Sequence, residues 1–191
     1  MGKRRTFDQY RRIDLALFAL LMAVCEYVIV HAANWWFPQQ PFMVSLAGPL
    51  TAIVYMRWGY WGAIHAVEAG AVYCLFSGAT GEQYIIYCGG NLLSLLAVLV
   101  LNRAGKERMR TGWAGLGFAA LVLLLMQGGR ALAAFILGAE PAALPRFFTT
   151  DSLSYIFTFV IIWIAQKLDG IYEDQKHYLL RIQSQEEEKG G

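Results

Sequence analysis

Six apolar stretches, 13–33, 42–56, 58–76, 84–101, 113–137 and 152–166, take up more than half of this 191-residue chain. A helix crosses the hydrocarbon core of a bilayer in about 20 apolar residues, with about 17–25 the usual range. In lipid each backbone polar group must be satisfied within the protein, which restricts spanning segments to helices and closed barrels. The stretches have no strand-like alternation, so the expected fold is all-α: an integral membrane protein with six transmembrane helices in one bundle. The stretches at 42–56 and 152–166 are short, and Gly48-Pro49 interrupts the first of them. Short or broken spans lean on neighbouring helices and often line cavities.

Composition supports this class. Charged residues are 16% of the chain against 57% hydrophobic, with a formal net charge of +2. A soluble domain has about a quarter of its residues charged, so a soluble enzyme is excluded. A nucleic-acid partner is excluded too, since there is no basic excess. Cys25, Cys74 and Cys88 lie in apolar runs without a Cys-x-x-Cys pair and read as small buried hydrophobes. Lys3, Arg4 and Arg5 before the first stretch imitate a signal sequence. The run is long and His31-Ala32-Ala33 is a poor cleavage site, so a retained helix is expected.

Lysine and arginine between the stretches set the orientation. Residues 1–12 hold five, 34–41 none, Arg57 is one, 77–83 none, 102–112 four, 138–151 one, and the tail four. This alternation predicts six crossings with both N- and C-termini cytoplasmic. The predicted layout is a basic cytoplasmic segment 1–12, a membrane domain 13–167 and a cytoplasmic helical tail 168–191. Leu168, Ile171, Tyr172, Gln175, Tyr178, Leu179 and Ile182 approximate a heptad seam in that tail. Trp35, Trp36, Phe37, Trp58, Tyr60, Trp61 and Trp113 fall where interface anchors belong.

Ionisable residues within the spans are costly and face a partner, a cavity or the bundle interior. They are Glu26, His31, His65, Glu68 and Arg130. By rise per residue Glu26 lies about 4–5 Å outward of the midplane, Arg130 about 7–8 Å outward, and Glu68 close to it. Tyr84, Tyr87, Asn91, Gln127, Ser152, Tyr155 and Thr158 fall at or outward of the middle of their helices. Two readings follow. In one, an outward-facing pocket is roofed by the aromatic loop 34–41, with Trp35, Trp36, Glu26, His31, Glu68, Tyr84, Tyr87, Asn91, Gln127, Arg130, Tyr155 and Thr158 as candidate ligand contacts. In the other, Glu26 and Arg130 form a structural ion pair and the neutral groups tie helices together. His65 and Glu68 share a helical face, but no third ligand is spaced to join them, so an interior pair is expected rather than a metal site. No nucleophile elbow, phosphate-binding glycine loop or paired catalytic carboxylates occur, so neither catalysis nor a cofactor is expected.

Ala16, Ala19 and Ala23 form a small-residue stripe in the first span, continued by Glu26; Gly62, Ala66 and Gly70 form another in the third. Small residues let membrane helices approach closely, either within the bundle or against a partner.

The stripe Ala19-x-x-x-Ala23, the aromatic first outer loop and the region Met56-Arg57-Trp58-Gly59-Tyr60-Trp61-Gly62, set in six short spans, resemble the S component of energy-coupling factor (ECF) vitamin transporters. The likeness covers residues 10–167. It implies a bacterial cytoplasmic membrane location and capture of a small vitamin-like molecule. Ala16, Ala19 and Ala23 would dock on a membrane T component, with two cytoplasmic ATPases supplying energy. Two features depart from the pattern: Glu26 continues the alanine stripe, and the tail is longer than such a subunit needs. Alternatives from other classes are a membrane scaffold similar to the cell-shape MreD family, and the membrane input domain of a signalling system.

Overall fold

A computed structural model describes residues 7–36 and 44–190, without the side chains of 183 and 186–190. Every regular element among the described residues is helical. We number the principal helices α1 (Phe7–Trp36), α2 (Ala47–Trp58), α3 (Ala63–Ser77), α4 (Gly81–Ala104), α5 (Gly112–Ile136), α6 (Ser152–Ala165) and α7 (Gln175–Gly190).

Four segments are long and apolar enough to cross a membrane: Phe7–Trp36, Gly81–Ala104, Gly112–Ile136 and Pro141–Ala165. The other two expected spans are shorter than that measure requires. They form the 12-residue α2 and the 15-residue α3, joined by a 3₁₀ turn at Gly59–Gly62. Gly59 makes this break with a φ of 59°, a backbone conformation that suits glycine. Pro49 does not interrupt a helix, because it stands in the first turn of α2, where its missing N–H costs nothing.

α2 is the hub. Every one of its residues except Arg57 is buried, and it packs on α1, α3, α5 and α6. α1, by contrast, buries Met22, Glu26 and Val30 at steps of four and leaves Leu17, Leu20, Val24 and Val28 exposed. An all-apolar outer face of this kind suits lipid. Between α1 and α6, Leu50 and Ile53 floor an apolar groove of about 480 Å³ walled by Leu17, Leu21, Ile161 and Ile164.

One end of the bundle is fastened by charge. Asp14 of α1 accepts from Arg57 Nε at 2.8 Å and Nη2 at 2.7 Å, and from the Trp58 indole. Arg57 Nη1 donates to the carbonyls of Gly170 and Ile171, and the Phe7 ring meets Trp58 edge-on. Glu173 pairs with Arg110 at 2.8 Å and Arg181 at 3.1 Å, while Asp174 pairs with Lys106. The start of α1, the α2–α3 turn, the α4–α5 connection and the chain after α6 therefore share one end.

The tail departs from a single helix beginning at 168. Gly170 adopts a φ of 75°, and α7 starts only at Gln175. Asp174 Oδ1 accepts from the backbone N–H of Lys176 at 3.0 Å and of His177 at 3.3 Å, as an N-cap does. The first half of the expected heptad seam is thus not seam: Ile171 and Tyr172 join the core. Burial pushes the Tyr172 phenol well above its usual titration range. Its hydroxyl donates to Gly115 O at 3.3 Å. Tyr172→Ala is expected to cost about 3–5 kcal/mol, as emptying a buried aromatic site usually does, and to expose 167–174 to protease. Tyr172→Phe, losing one long hydrogen bond, should cost about 1 kcal/mol or less. Thermal unfolding in detergent with limited proteolysis checks both.

Candidate functional site

Glu26 is 1% exposed, and its partner is a helix end, not Arg130. Its Oε1 accepts from Ser45 Oγ at 2.8 Å, Leu46 N at 2.8 Å and Ala47 N at 3.1 Å. A helix start carries unsatisfied N–H groups and a partial positive charge; α2 receives a carboxylate there from a neighbouring helix. Ser45 N is held in turn by Ser154 Oγ at 3.0 Å. This fixes α2 to begin level with Glu26, ten residues and about 15 Å short of the end of α1. Glu26→Ala is expected to destabilise by about 2–4 kcal/mol, since it strands buried N–H groups bonded to a charge. Glu26→Gln, which keeps an acceptor, should lose less than half as much; unfolding midpoints decide.

α4 and α5 cross with their backbones in contact. A Cβ on Gly129 would lie 1.9 Å from Gly90 O, and one on Gly90 would lie 2.5 Å from Arg130 N. α3 meets α4 in the same way: a Cβ on Gly70 would lie 2.7 Å from the Tyr87 carbonyl group. At these crossings α4 is irregular, with a π-helical turn at Ile85–Gly89 and a 3₁₀ turn at Leu92–Leu95. Such turns mark strained or functional places in helices.

The crossings put Arg130 beside Asn91 and Tyr87. Arg130 Nε donates to Asn91 Oδ1 at 2.8 Å, and Asn91 Nδ2 donates to Ala66 O of α3 at 2.8 Å. Arg130 Nη1 donates to Asp151 Oδ2 at 2.9 Å, a pair in which both side chains are under 10% exposed. The guanidinium lies 4.9 Å from the Tyr87 ring centroid, and Tyr73 packs on Tyr87 at 4.7 Å. Gln127 Nε2 reaches Asp151 at 3.4 Å, while Tyr155 donates to Gln127 Oε1 at 2.6 Å. The cluster spans α3, α4, α5 and α6.

Five predicted site residues thus come together: Tyr87, Asn91, Gln127, Arg130 and Tyr155. Glu26 is bonded to the start of α2 and does not pair with Arg130, so the ion pair of the second reading does not form. Thr158 is buried near Gly48, with Oγ1 unpaired among the described residues. Tyr84 is half-buried in the first turn of α4. His31, Trp35 and Trp36 stand at the end of α1, His31 against Tyr27 and Phe76, and the two tryptophans stacked on each other at 6.3 Å. Asn34, Trp35 and Trp36 are helical, while 37–41 of the expected lid lie outside the described residues. Glu68 stands apart on α3.

Asp151 is the residue that sequence reasoning missed. It occupies the N-cap position of α6, where an aspartate ordinarily bonds its own helix, yet its carboxylate goes to Arg130 instead. The available signal was the arginine itself, a cation in a span that needs an anion at its own depth.

The alanine stripe has a defined neighbour. Leu15, Ala19, Ala23, Tyr27 and His31 form one row at steps of four. Leu15 O accepts from His65 Nε2 at 3.0 Å, and the rings of Tyr27 and His31 meet Phe76, so this row faces α3. Ala19 and Ala23 are half-buried along it; Ala16, one residue off it, is exposed. Gly62, Ala66 and Gly70 also point inward, to Tyr55, Asn91 and Tyr87.

Comparison of the chain with family models, with curated proteins and with solved structures finds no match in any of the three.

Proposed function

We propose that this chain is the membrane-embedded, substrate-binding subunit of a multi-part importer of the ECF S-component kind. It captures a small vitamin-like aromatic or heterocyclic molecule from outside and hands it to partners, a membrane T component and two cytoplasmic ATPases. The observation that carries this reading is the charged and aromatic cluster of Arg130, Asp151, Asn91, Gln127, Tyr87 and Tyr155 where α3, α4, α5 and α6 meet. Buried ionisable groups in membrane helices are expensive and ordinarily mark a ligand or ion path. α2 begins level with Glu26, and the cluster lies on α3, α4, α5 and α6 beside that helix start. With Arg130 paired to Asp151, the faces of Tyr87 and Tyr155 would stack on an aromatic or heterocyclic ligand there. The reading takes the chain as six crossings of a bacterial plasma membrane with both ends cytoplasmic and no catalytic role.

One observation favours the scaffold alternative. Asp151 balances the charge of Arg130, and the hydrogen bonds of the cluster run between its own members, as they would in a purely structural tie. The two readings differ in whether a molecule is held. The chain is extracted in mild detergent and heat-denatured, and the supernatant is analysed by liquid chromatography–mass spectrometry. The importer reading predicts one aromatic or heterocyclic compound near one per chain, lost with Tyr87→Ala while the unfolding midpoint stays within a few degrees. No released compound from the unsubstituted chain would favour the scaffold.

A further inference from the structure

Glu68 has no hydrogen bond or ion pair to any described residue, and its Oε2 is buried. Among the intramembrane ionisable groups of the described residues this isolation is its own: Glu26 caps α2, Arg130 pairs with Asp151, and His65 bonds Leu15 O. Its depth follows from that last contact. His65 is level with Leu15, and Glu68, three residues on, is level with Phe18, about 5 Å from the midpoint of α1. One turn back, the fully buried His65 also keeps an unpartnered Nδ1.

The surface around Glu68 suits a helix. One turn back on the same side of α3 is Ile64, 52% exposed, and the row of α1 next to the one that faces α3 carries the exposed Ala16 and the 63% exposed Leu20. The small side chain of the exposed Ala16 allows a second backbone to come close. A carboxylate near the middle of a bilayer needs a counter-charge or a donor. We infer that the α1–α3 face around Glu68 is the docking surface for a transmembrane helix of another protein that carries a lysine or arginine at mid-bilayer depth. A second copy of this chain does not complement it, because the one cation at comparable depth among the described residues, Arg130, is committed to Asp151 and Asn91. Charge therefore selects a different partner. The inference is independent of whether the cluster around Arg130 holds a ligand.

The test uses the full chain, with a donor dye at its N-terminus, in vesicles of phosphatidylcholine and phosphatidylglycerol. The probes are two acceptor-labelled leucine–alanine helices of bilayer length, identical except for a central lysine or leucine. Energy transfer should show the lysine helix associating at least about fivefold more tightly than the leucine helix, the scale of an interhelical polar contact in lipid. Glu68→Gln should abolish that preference while elution profile and unfolding midpoint stay as in the unsubstituted chain. Equal association of both helices, or a preference that survives Glu68→Gln, would overturn the assignment. Self-association of the chain that disappears with Glu68→Gln would give the face to a second copy and overturn it as well.

Discussion

Arg130→Met is expected to destabilise the bundle by about 3–5 kcal/mol, because it leaves Asp151 as a buried carboxylate with its cation removed. For a chain of this size that corresponds to a fall of about 10 °C in unfolding midpoint. The informative comparison is the partner. Asp151→Leu in the Arg130→Met background removes both charges and should recover more than half of the loss, since a buried pair replaced by apolar residues is often neutral. Glu26→Gln in the same background should recover nothing, because Glu26 is bonded to Ser45 and to the start of α2. Rescue by Glu26→Gln instead of Asp151→Leu would mean that Arg130 is neutralised from α1. Circular dichroism melts of the detergent-purified chain and these variants measure this.

Gly129→Ala is expected to have an effect of similar size by another route. The added methyl would sit 1.9 Å from Gly90 O, and since that neighbour is backbone, the α4–α5 crossing must open. Overpacking of a rigid site costs about 1–3 kcal/mol and more where backbone has to move. The crossing also places Arg130 against Asn91 and Tyr87, so the substitution should disturb the cluster as well as the fold. Gly128→Ala is the matched control: a methyl there would meet nothing within 4 Å, and alanine is the better helix former. We expect Gly128→Ala to leave the unfolding midpoint unchanged or slightly raised, and Gly129→Ala to lower it and to broaden the size-exclusion peak. Equal behaviour of the two variants would show that the close crossing does not hold.

These two results rest on features of unequal visibility in the sequence. The fifth and sixth spans, expected at 113–137 and 152–166, fall within one residue of Gly112–Ile136 and Ser152–Ala165. Continuous apolar length fixes such ends, and Gly112 and Asp151 punctuate them. The helix expected within 42–56 was harder to place. Its start is set by Glu26, a residue on another helix, and local patterning carries no trace of a cap supplied from elsewhere. Pro49 looked like an interruption for the same reason: its harmlessness depends on knowing that the helix begins at Ala47.

The site was legible in part. Depth alone grouped Tyr87, Asn91, Gln127, Arg130 and Tyr155, because polar residues at one level of a bundle have few places to go. Depth gave no rotation, however, so Glu26 stood open between a shared pocket and an ion pair with Arg130, although it faces α2. Asp151 lies in the connection before the last stretch, outside the spans in which ionisable residues were counted. The small-residue stripes of α1 and α3 were open between internal packing and a partner. The hydrogen bond from His65 to Leu15 O and the Gly70–Tyr87 approach turn much of both stripes inward. The tail misled through periodicity: the heptad spacing of Leu168, Ile171 and Tyr172 continued across Gly170, whose left-handed backbone ends any helix there.

The most direct test of the proposed role is native mass spectrometry on the tagged chain, gently extracted from the membranes in which it is naturally made. The account predicts the 21.4 kDa chain carrying one small molecule, and a larger species that adds a membrane subunit and two ATPases. A bare homodimer, or a complex with cell-wall proteins and no small molecule, would contradict it.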